Sequence, residues 1–289
     1  MLTRILCLLV LTASVAAMPA CQTSPATGET QFNVLSPQEE VEIGEQAAPQ
    51  FVDQLGGEVP SRQVQAYVSS LGRELAAVSE RPDLPWEFTV VDSETVNAFA
   101  LPGGKIFISR GMLARLNNEA QLAGILGHEI GHVTDQHIGQ QMSWQMAREL
   151  GLGVAGATIQ SEEAWADLLV QGLDVGSGIG LLGFSRGQEM AADRLGLRYM
   201  SELGYNPVAL VEVMQILKEA SRSGTIEFLS THPLPETRIE EIYDIVRERY
   251  PDYEEVGRYR FDEAGYEANI LAEMQKLPPP EHRQEGARG

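Results

Sequence analysis

The stretch from Asn118 to Trp144 constrains this chain more than any other, because it reads as one long apolar helix with His128-Glu129-Ile130-Gly131-His132 inside it. Asn118 and Gln121 supply a capping-box-like start, and Leu122, Ile125 and Leu126 supply apolar positions. Residues four apart on a helix project about 40° from one another, so both imidazoles face one point. Glu129 projects about 100° from His128, on the flank of the pair, where a carboxylate reaches a metal-bound water instead of the metal. The pattern predicts one zinc ion per chain held by His128 and His132, with Glu129 as the general base that takes a proton from water.

A catalytic zinc takes three protein ligands and keeps one position open. A His six residues after His132 would mark the metzincin arrangement, but Ile138 stands there and Asp135 stands where that motif has Gly. His137 lies nine residues from His128, about 180° around a continuous helix, and is expected to point away as an ordinary helix histidine. Glu189 in Glu189-Met190-Ala191-Ala192-Asp193 is the better third ligand, with Asp193 one turn later on the same face. An Asp so placed can accept a hydrogen bond from a ligating imidazole. Taken alone, the two carboxylates also read as an ordinary surface pair.

The formal charge of -20 works against nucleic acid and against an anionic membrane surface, since both attract basic patches. Residues 1–20 read as a secretory signal: Arg4 precedes an apolar run from Ile5 to Val15, and small residues follow. Cys7 falls inside that run, so Cys21 would be left alone after cleavage, with no internal disulfide possible. Cys21 at the cleavage point resembles the lipid-bearing Cys of a bacterial lipoprotein, although Met18 and Pro19 stand where such signals usually carry Leu and a small residue. Cleavage elsewhere, leaving Cys21 unmodified or removed, is the alternative. Either route takes the chain out of the cytoplasm, to the periplasm and, with a lipid, to the outer membrane.

The remaining chain divides into a flexible linker over 21–35, a catalytic domain over 36–250 and a partly disordered extension over 251–289. Ser36, Pro37 and Glu39 form a capping-box start for a helix. A second helix is predicted over about Pro60–Ser79, and others near Phe184–Leu203, Pro207–Ala220 and Pro235–Tyr250. Between Trp86 and Ser109 three short strands are predicted, the last two forming a hairpin around Pro102-Gly103-Gly104. Leu150–Gly183 is Gly-rich and apolar, but acidic residues interrupt it before it reaches the length of a membrane span; a packed helix or a lid over the site is expected there. The fold class is therefore α+β, mainly helical.

These motifs together resemble the zinc metallopeptidase family of the CAAX prenyl protease type 1, HtpX, BepA and LoiP, with a layout closest to its short, lipidated periplasmic members. The resemblance covers about residues 36–250. It rests on the Ser36–Gly44 opening, the Asn97–Gly104 hairpin, the His128–His132 helix, the Glu189–Asp193 helix with Gly204-Tyr205-Asn206-Pro207 after it, and Thr231-His232-Pro233 with Arg238, all in family order. It implies a gluzincin-like fold with a small β-hairpin or sheet beside the metal helix. It implies ligands His128, His132 and Glu189, base Glu129, and Asp193 behind the ligands. The same resemblance maps His232 onto a histidine that approaches the metal and restrains activity, and Arg238 onto an arginine that pairs near the site.

From the residues alone, His232 reads as a turn histidine; the resemblance opens either gating or transition-state assistance for it. Arg238 could equally be a structural partner of Asp193. Asn97 is expected on an edge that binds substrate as an added strand, or as a simple turn residue. The function expected is endopeptidase action on unfolded or misassembled envelope proteins. A chaperone-like outer-membrane assembly factor with a latent zinc site is the alternative. The oligomeric state is not legible.

Overall fold

The computed structural model describes residues 21–151, 183–222, 226–233 and 236–280. The chain opens with an antiparallel hairpin of β1 (Cys21–Thr23) and β2 (Thr30–Phe32). Helices α1 (Pro37–Gln54) and α2 (Arg62–Ala77) follow, then β3 (Glu87–Val91), β4 (Ala98–Leu101) and β5 (Lys105–Ser109). Next come α3 (Arg110–Leu113), α4 (Glu119–Thr134) and α5 (His137–Gly151). The last part holds α6 (Arg186–Glu202), α7 (Val208–Ser221), α8 (Phe228–Thr231) and α9 (Glu236–Arg249). It ends in α10 (Glu263–Tyr266), a π-turn (Glu267–Leu271) and α11 (Ala272–Met274). The architecture is the expected one, mainly helical with a small sheet beside the helix that carries His128. The signal peptide and the lid or packed helix expected between Leu150 and Gly183 lie outside the described residues, apart from the segment's two ends. No helix among the described residues is long and apolar enough to cross a membrane.

The capping box at α1 forms as the sequence predicts: the Glu39 amide donates to Ser36 Oγ at 3.2 Å and the Ser36 amide to the Glu39 carboxylate at 2.6 Å. In the sheet, β5 is central, antiparallel to β4 and parallel to β3. Ile106 and Ile108 of β5 join the main core, while Phe107 between them packs with Phe51 of α1 and Leu101 of β4. Both faces of the strand are therefore covered, which explains why it alternates no polar residues. At the β4–β5 turn Gly103 takes φ 74°, and a Cβ there would stand 2.5 Å from Val41 Cα. Two of the sequence motifs, the Ser36–Gly44 opening and the hairpin, thus pack backbone to backbone.

Helix α4 is the centre of the molecule. Every residue from Ala120 to Thr134 is buried, and α2, α6, α7 and β4 surround it. Its near-uniform apolarity belongs to a helix covered on all sides.

Two sequence expectations are corrected in the fold. The single helix over Asn118–Trp144 breaks at Asp135 and Gln136, where Gln136 takes φ 55°. No Gly or Pro announces the stop; tertiary contacts hold it. The Gln136 side-chain amide donates to Glu40 Oε1 at 3.0 Å and its carbonyl oxygen accepts from Gln31 at 3.0 Å. Arg81 ties the same carboxylate, at 2.7 Å, to the Val133 carbonyl, at 3.0 Å. The second correction concerns residues 21–35, expected as a flexible linker: they include the β1–β2 hairpin, with Ser24, Asn33 and Leu35 buried. The extension over 251–289, expected to be partly disordered, is described as far as residue 280. It returns to the core through buried Tyr266, Ile270 and Met274, and Arg110 donates to the carbonyls of Met274 and Pro278 at 3.0 and 2.7 Å. Residues 281–289 lie outside the described residues.

Candidate metal centre

Helices α4 and α6 approach closely because small residues line their contact. A Cβ on Gly131 would stand 2.9 Å from the Ala192 carbonyl oxygen, and one on Gly196 would stand 2.9 Å from the His128 amide nitrogen. This proximity places Glu189 and Asp193 opposite the two imidazoles. His128 Nε2 and His132 Nε2 are 3.0 Å apart, and Glu189 Oε1 is 3.5 Å from His132 Nε2. His128 Nδ1 lies 2.9 Å from Asp193 Oδ1.

Arg238, from α9, is fully buried and grips both carboxylates. Its Nε donates to Asp193 Oδ2 and its Nη2 to Asp193 Oδ1, both at 2.8 Å, while Nη1 pairs with Glu189 Oε2 and donates to the Pro233 carbonyl at 3.1 Å. A forked guanidinium suits two oxygens of one carboxylate. Of the roles open to it in the sequence, this arrangement favours partnership with Asp193.

His232 follows α8, whose first residue is tied to the chain before β4 by the Phe228 amide donating to the Val96 carbonyl at 3.2 Å. Its ring stacks on Phe228, 4.3 Å between centroids. His232 Nδ1 stands 3.2 Å from His128 Nε2 and 3.0 Å from Glu189 Oε1, and its Nε2 lies 3.6 Å from Glu129 Oε1. His128, His132, Glu189 and His232 thus each offer an atom within 4.8 Å of the others, all four buried.

The donor set fits a divalent cation. Ligand atoms about 2.0–2.1 Å from a tetrahedral zinc are about 3.3 Å apart, close to the spacings here. If both Nδ1 atoms carry the protons for their outer partners, two Nε2 lone pairs face each other at 3.0 Å, an arrangement that repels unless a proton or a cation lies between them. Glu129, Glu189 and Asp193 against Arg238 leave two uncompensated negative charges when all three carboxylates are ionised and the imidazoles are neutral, and a divalent ion balances them.

Burial sets much of the proton chemistry. It drives His132 well below its ordinary pKa, toward the neutral ligand form, and lifts Glu129 above the ordinary carboxylate value. Burial also opposes the charge on His128, but the hydrogen bond and charge of Asp193 outweigh it and the net shift is upward. For Glu189, His232 and the His132 hydrogen bond overcome burial and hold the carboxyl well below its usual range. Arg238 and His128 do the same for Asp193.

The other sequence candidates fare differently. Glu129 is buried beside the cluster, with Oε1 lacking a hydrogen-bond partner. Asn97 immediately precedes β4, buried, with its amide donating to Ser109 Oγ at 3.1 Å and its Oδ1 also without a partner. His137, expected to point away, instead touches His132, Nδ1 to Nδ1 at 2.9 Å. The nine-residue angle fails because the helix does not continue through Gln136. Sequence reasoning also missed Phe184, whose ring stacks on His132 at 3.8 Å between centroids; its position beside a Gly-rich stretch gave no signal.

Comparison with known proteins supplies an independent view. The sequence profile described as "Peptidase family M48" matches residues 62–246. The chain is 29% identical over 285 residues to the Beta-barrel assembly-enhancing protease of Yersinia pestis, covering 90% of this chain and 57% of that protein. To the protein of the same name from Escherichia coli K12 it is 30% identical over 230 residues, 76% of this chain and 46% of the other. The Mitochondrial metalloendopeptidase OMA1 of Schizosaccharomyces pombe is 31% identical over 223 residues, 75% of this chain and 64% of that one. The chain therefore spans roughly half to two thirds of these curated relatives.

Proposed function

Because the chain belongs to peptidase family M48, we propose that it is a zinc-dependent endopeptidase of the cell envelope, with His128, His132 and Glu189 holding the ion and Glu129 as general base. The observation that carries this reading is the convergence of those three donors around one point, with Glu129 Oε1, which has no hydrogen-bond partner, beside it. A zinc ion bound there supplies Lewis acidity, which lowers the pKa of a water and polarises a peptide carbonyl.

The chain's own residues do the rest. Glu129 takes a proton from the attacking water and delivers it to the leaving amine as the C–N bond breaks. Asp193 accepts from His128 Nδ1–H and so keeps its Nε2 free to ligate, and Arg238 fixes Asp193. The β4 edge, immediately after Asn97, suits a peptide added as an extended strand, because main-chain pairing tolerates varied sequences.

His232 stands among the proposed ligand atoms, where it would offer a bound ion a fourth donor in the position that a hydrolytic site keeps open. This supports a restrained resting state, the gating reading of that residue. It also favours the second reading, a chaperone-like assembly factor whose zinc site stays shut. Unfolded and misassembled envelope proteins are the proposed substrates, suggested by relatives named as assembly-enhancing proteases. Cys21 is free and exposed, as a lipid anchor to the outer membrane would need, and mass spectrometry of the processed amino terminus distinguishes lipidated Cys21 from a later, unmodified start.

The functional test is cleavage of unfolded casein by metal-loaded protein. Glu129→Gln should keep its metal and lose about 10²–10⁴-fold in rate, since the side chain meets water and not the ion. Undiminished cleavage by Glu129→Gln removes the assigned base. Protein that holds zinc yet never cleaves, even as His232→Ala, belongs to the chaperone-like reading.

A further inference from the structure

The two imidazoles of α4 are held from opposite directions. His128 leans on Asp193, inside the α6–α9 layer. His132 leans on His137, His137 Nε2 lies 2.8 Å from Asp135 Oδ2, and Asp135 Oδ1 accepts from the hydroxyls of Thr27, at 2.9 Å, and Ser24. Ser24 is buried, and it meets Asp135 across 111 residues of sequence.

One proton assignment satisfies this whole chain. With His132 Nε2 turned to the ligand cluster, its Nδ1 carries a proton and donates to His137 Nδ1. His137 is then protonated on Nε2 and donates to Asp135, whose other oxygen takes both hydroxyls. The same amino-terminal segment holds the helix break that brings His137 back. Gln31 of β2 donates to Gln136 and accepts from Gln140, at 3.0 and 2.6 Å. The left-handed Gln136 is thereby fixed from two sides, by Gln31 and by Glu40.

We propose that the β1–β2 hairpin is a strap that orients His132 as a ligand through Ser24, Thr27, Asp135 and His137, and so sets how tightly the centre holds a divalent cation. His137 and Asp135 are positioning residues: they touch a ligand or its support and never the reacting atoms. The proposal rests on His132 being a ligand. A donor's orientation and basicity follow from the hydrogen bond made by its other ring nitrogen, and loss of such a partner typically weakens metal binding about 10- to 100-fold.

The test titrates Zn²⁺ against a chromogenic chelator, and records Co²⁺ ligand-field spectra, in the full chain and its variants. His137→Phe keeps the ring and removes the acceptor, and should raise the Kd for Zn²⁺ about 10- to 100-fold and shift the Co²⁺ bands. His137→Asn returns an acceptor oxygen near the Nδ1 position and should recover most of that loss. The double variant Ser24→Ala/Thr27→Val should loosen the metal in the same direction by a smaller factor, and it carries the test if His137→Phe does not fold. An unchanged Kd in the double variant overturns the strap, as does a lowered unfolding temperature of the metal-free protein with no change in Kd. His132→Ala separates the two layers of the claim. If it loses metal while His137→Phe does not, the strap alone fails; if it keeps full affinity, the ligand assignment fails and the strap with it.

Discussion

Gly196 lies against the backbone of His128 so closely that a Cβ at residue 196 would stand 2.9 Å from the His128 amide nitrogen. The contact is backbone to backbone, with no flexible side chain to yield. Gly196→Ala is expected to push α6 from α4 and cost about 1–3 kcal/mol of stability, as overpacking in a filled core does. Because Glu189 and Asp193 ride on the displaced helix, metal content should fall with it. Thermal unfolding and a metal assay check this together, and parent-like values in both would show that the helices separate freely.

Asp193→Asn preserves shape while removing the charge that His128 and Arg238 share. Metal affinity should drop about 10- to 100-fold. The Arg238 guanidinium would also lose part of its buried counter-charge, so the metal-free protein should melt at lower temperature. Chelator competition and calorimetry measure the two effects separately.

Glu189→Ala removes the one carboxylate among the four donors, leaving three imidazoles beside the Arg238 guanidinium that has lost this counter-charge, a poor setting for a divalent ion. Zinc content after dialysis should fall well below one per chain. Full occupancy would move the third ligand elsewhere.

His232→Ala opens the fourth position of the cluster. Casein cleavage should rise while the three remaining donors keep the metal in place. A fall in cleavage at unchanged occupancy would assign His232 to the reaction and not to its restraint.

Acid should weaken the metal-free protein through Asp135 and Asp193, both held below the ordinary aspartate value of 3.8. Burial works against each carboxylate, but His137 outweighs it at Asp135, and Arg238 and His128 outweigh it at Asp193. A depressed carboxyl stabilises the fold above its unfolded pKa and loses that contribution as pH falls through the folded value. Denaturant midpoints of Asp135→Asn should therefore lie below the parent at neutral pH and converge on it as pH drops below about 3.8. A constant gap across that window would remove ionised Asp135 as the source.

The pairing of His128 with His132 was legible because it is written locally. Four-residue spacing on one helix puts His128 and His132 together whatever surrounds them, and the Ser36 capping box depends only on neighbours three residues apart. The parallel pairing of β3 with β5 was not legible, since strand partners are chosen across the chain by burial on both faces.

The sequence by itself determined that His128, Glu129 and His132 share a buried helix, and its order of motifs pointed to Glu189, Asp193, His232 and Arg238. Only the tertiary structure decided what those residues do to one another. It closes α6 onto α4 through glycine, sets His232 among the donors, and ends α4 at Gln136 so that His137 turns back to His132. That last outcome reversed the sequence expectation for a physical reason: helical periodicity predicts direction only while the helix continues, and here Glu40 and Gln31, distant in sequence, stop it.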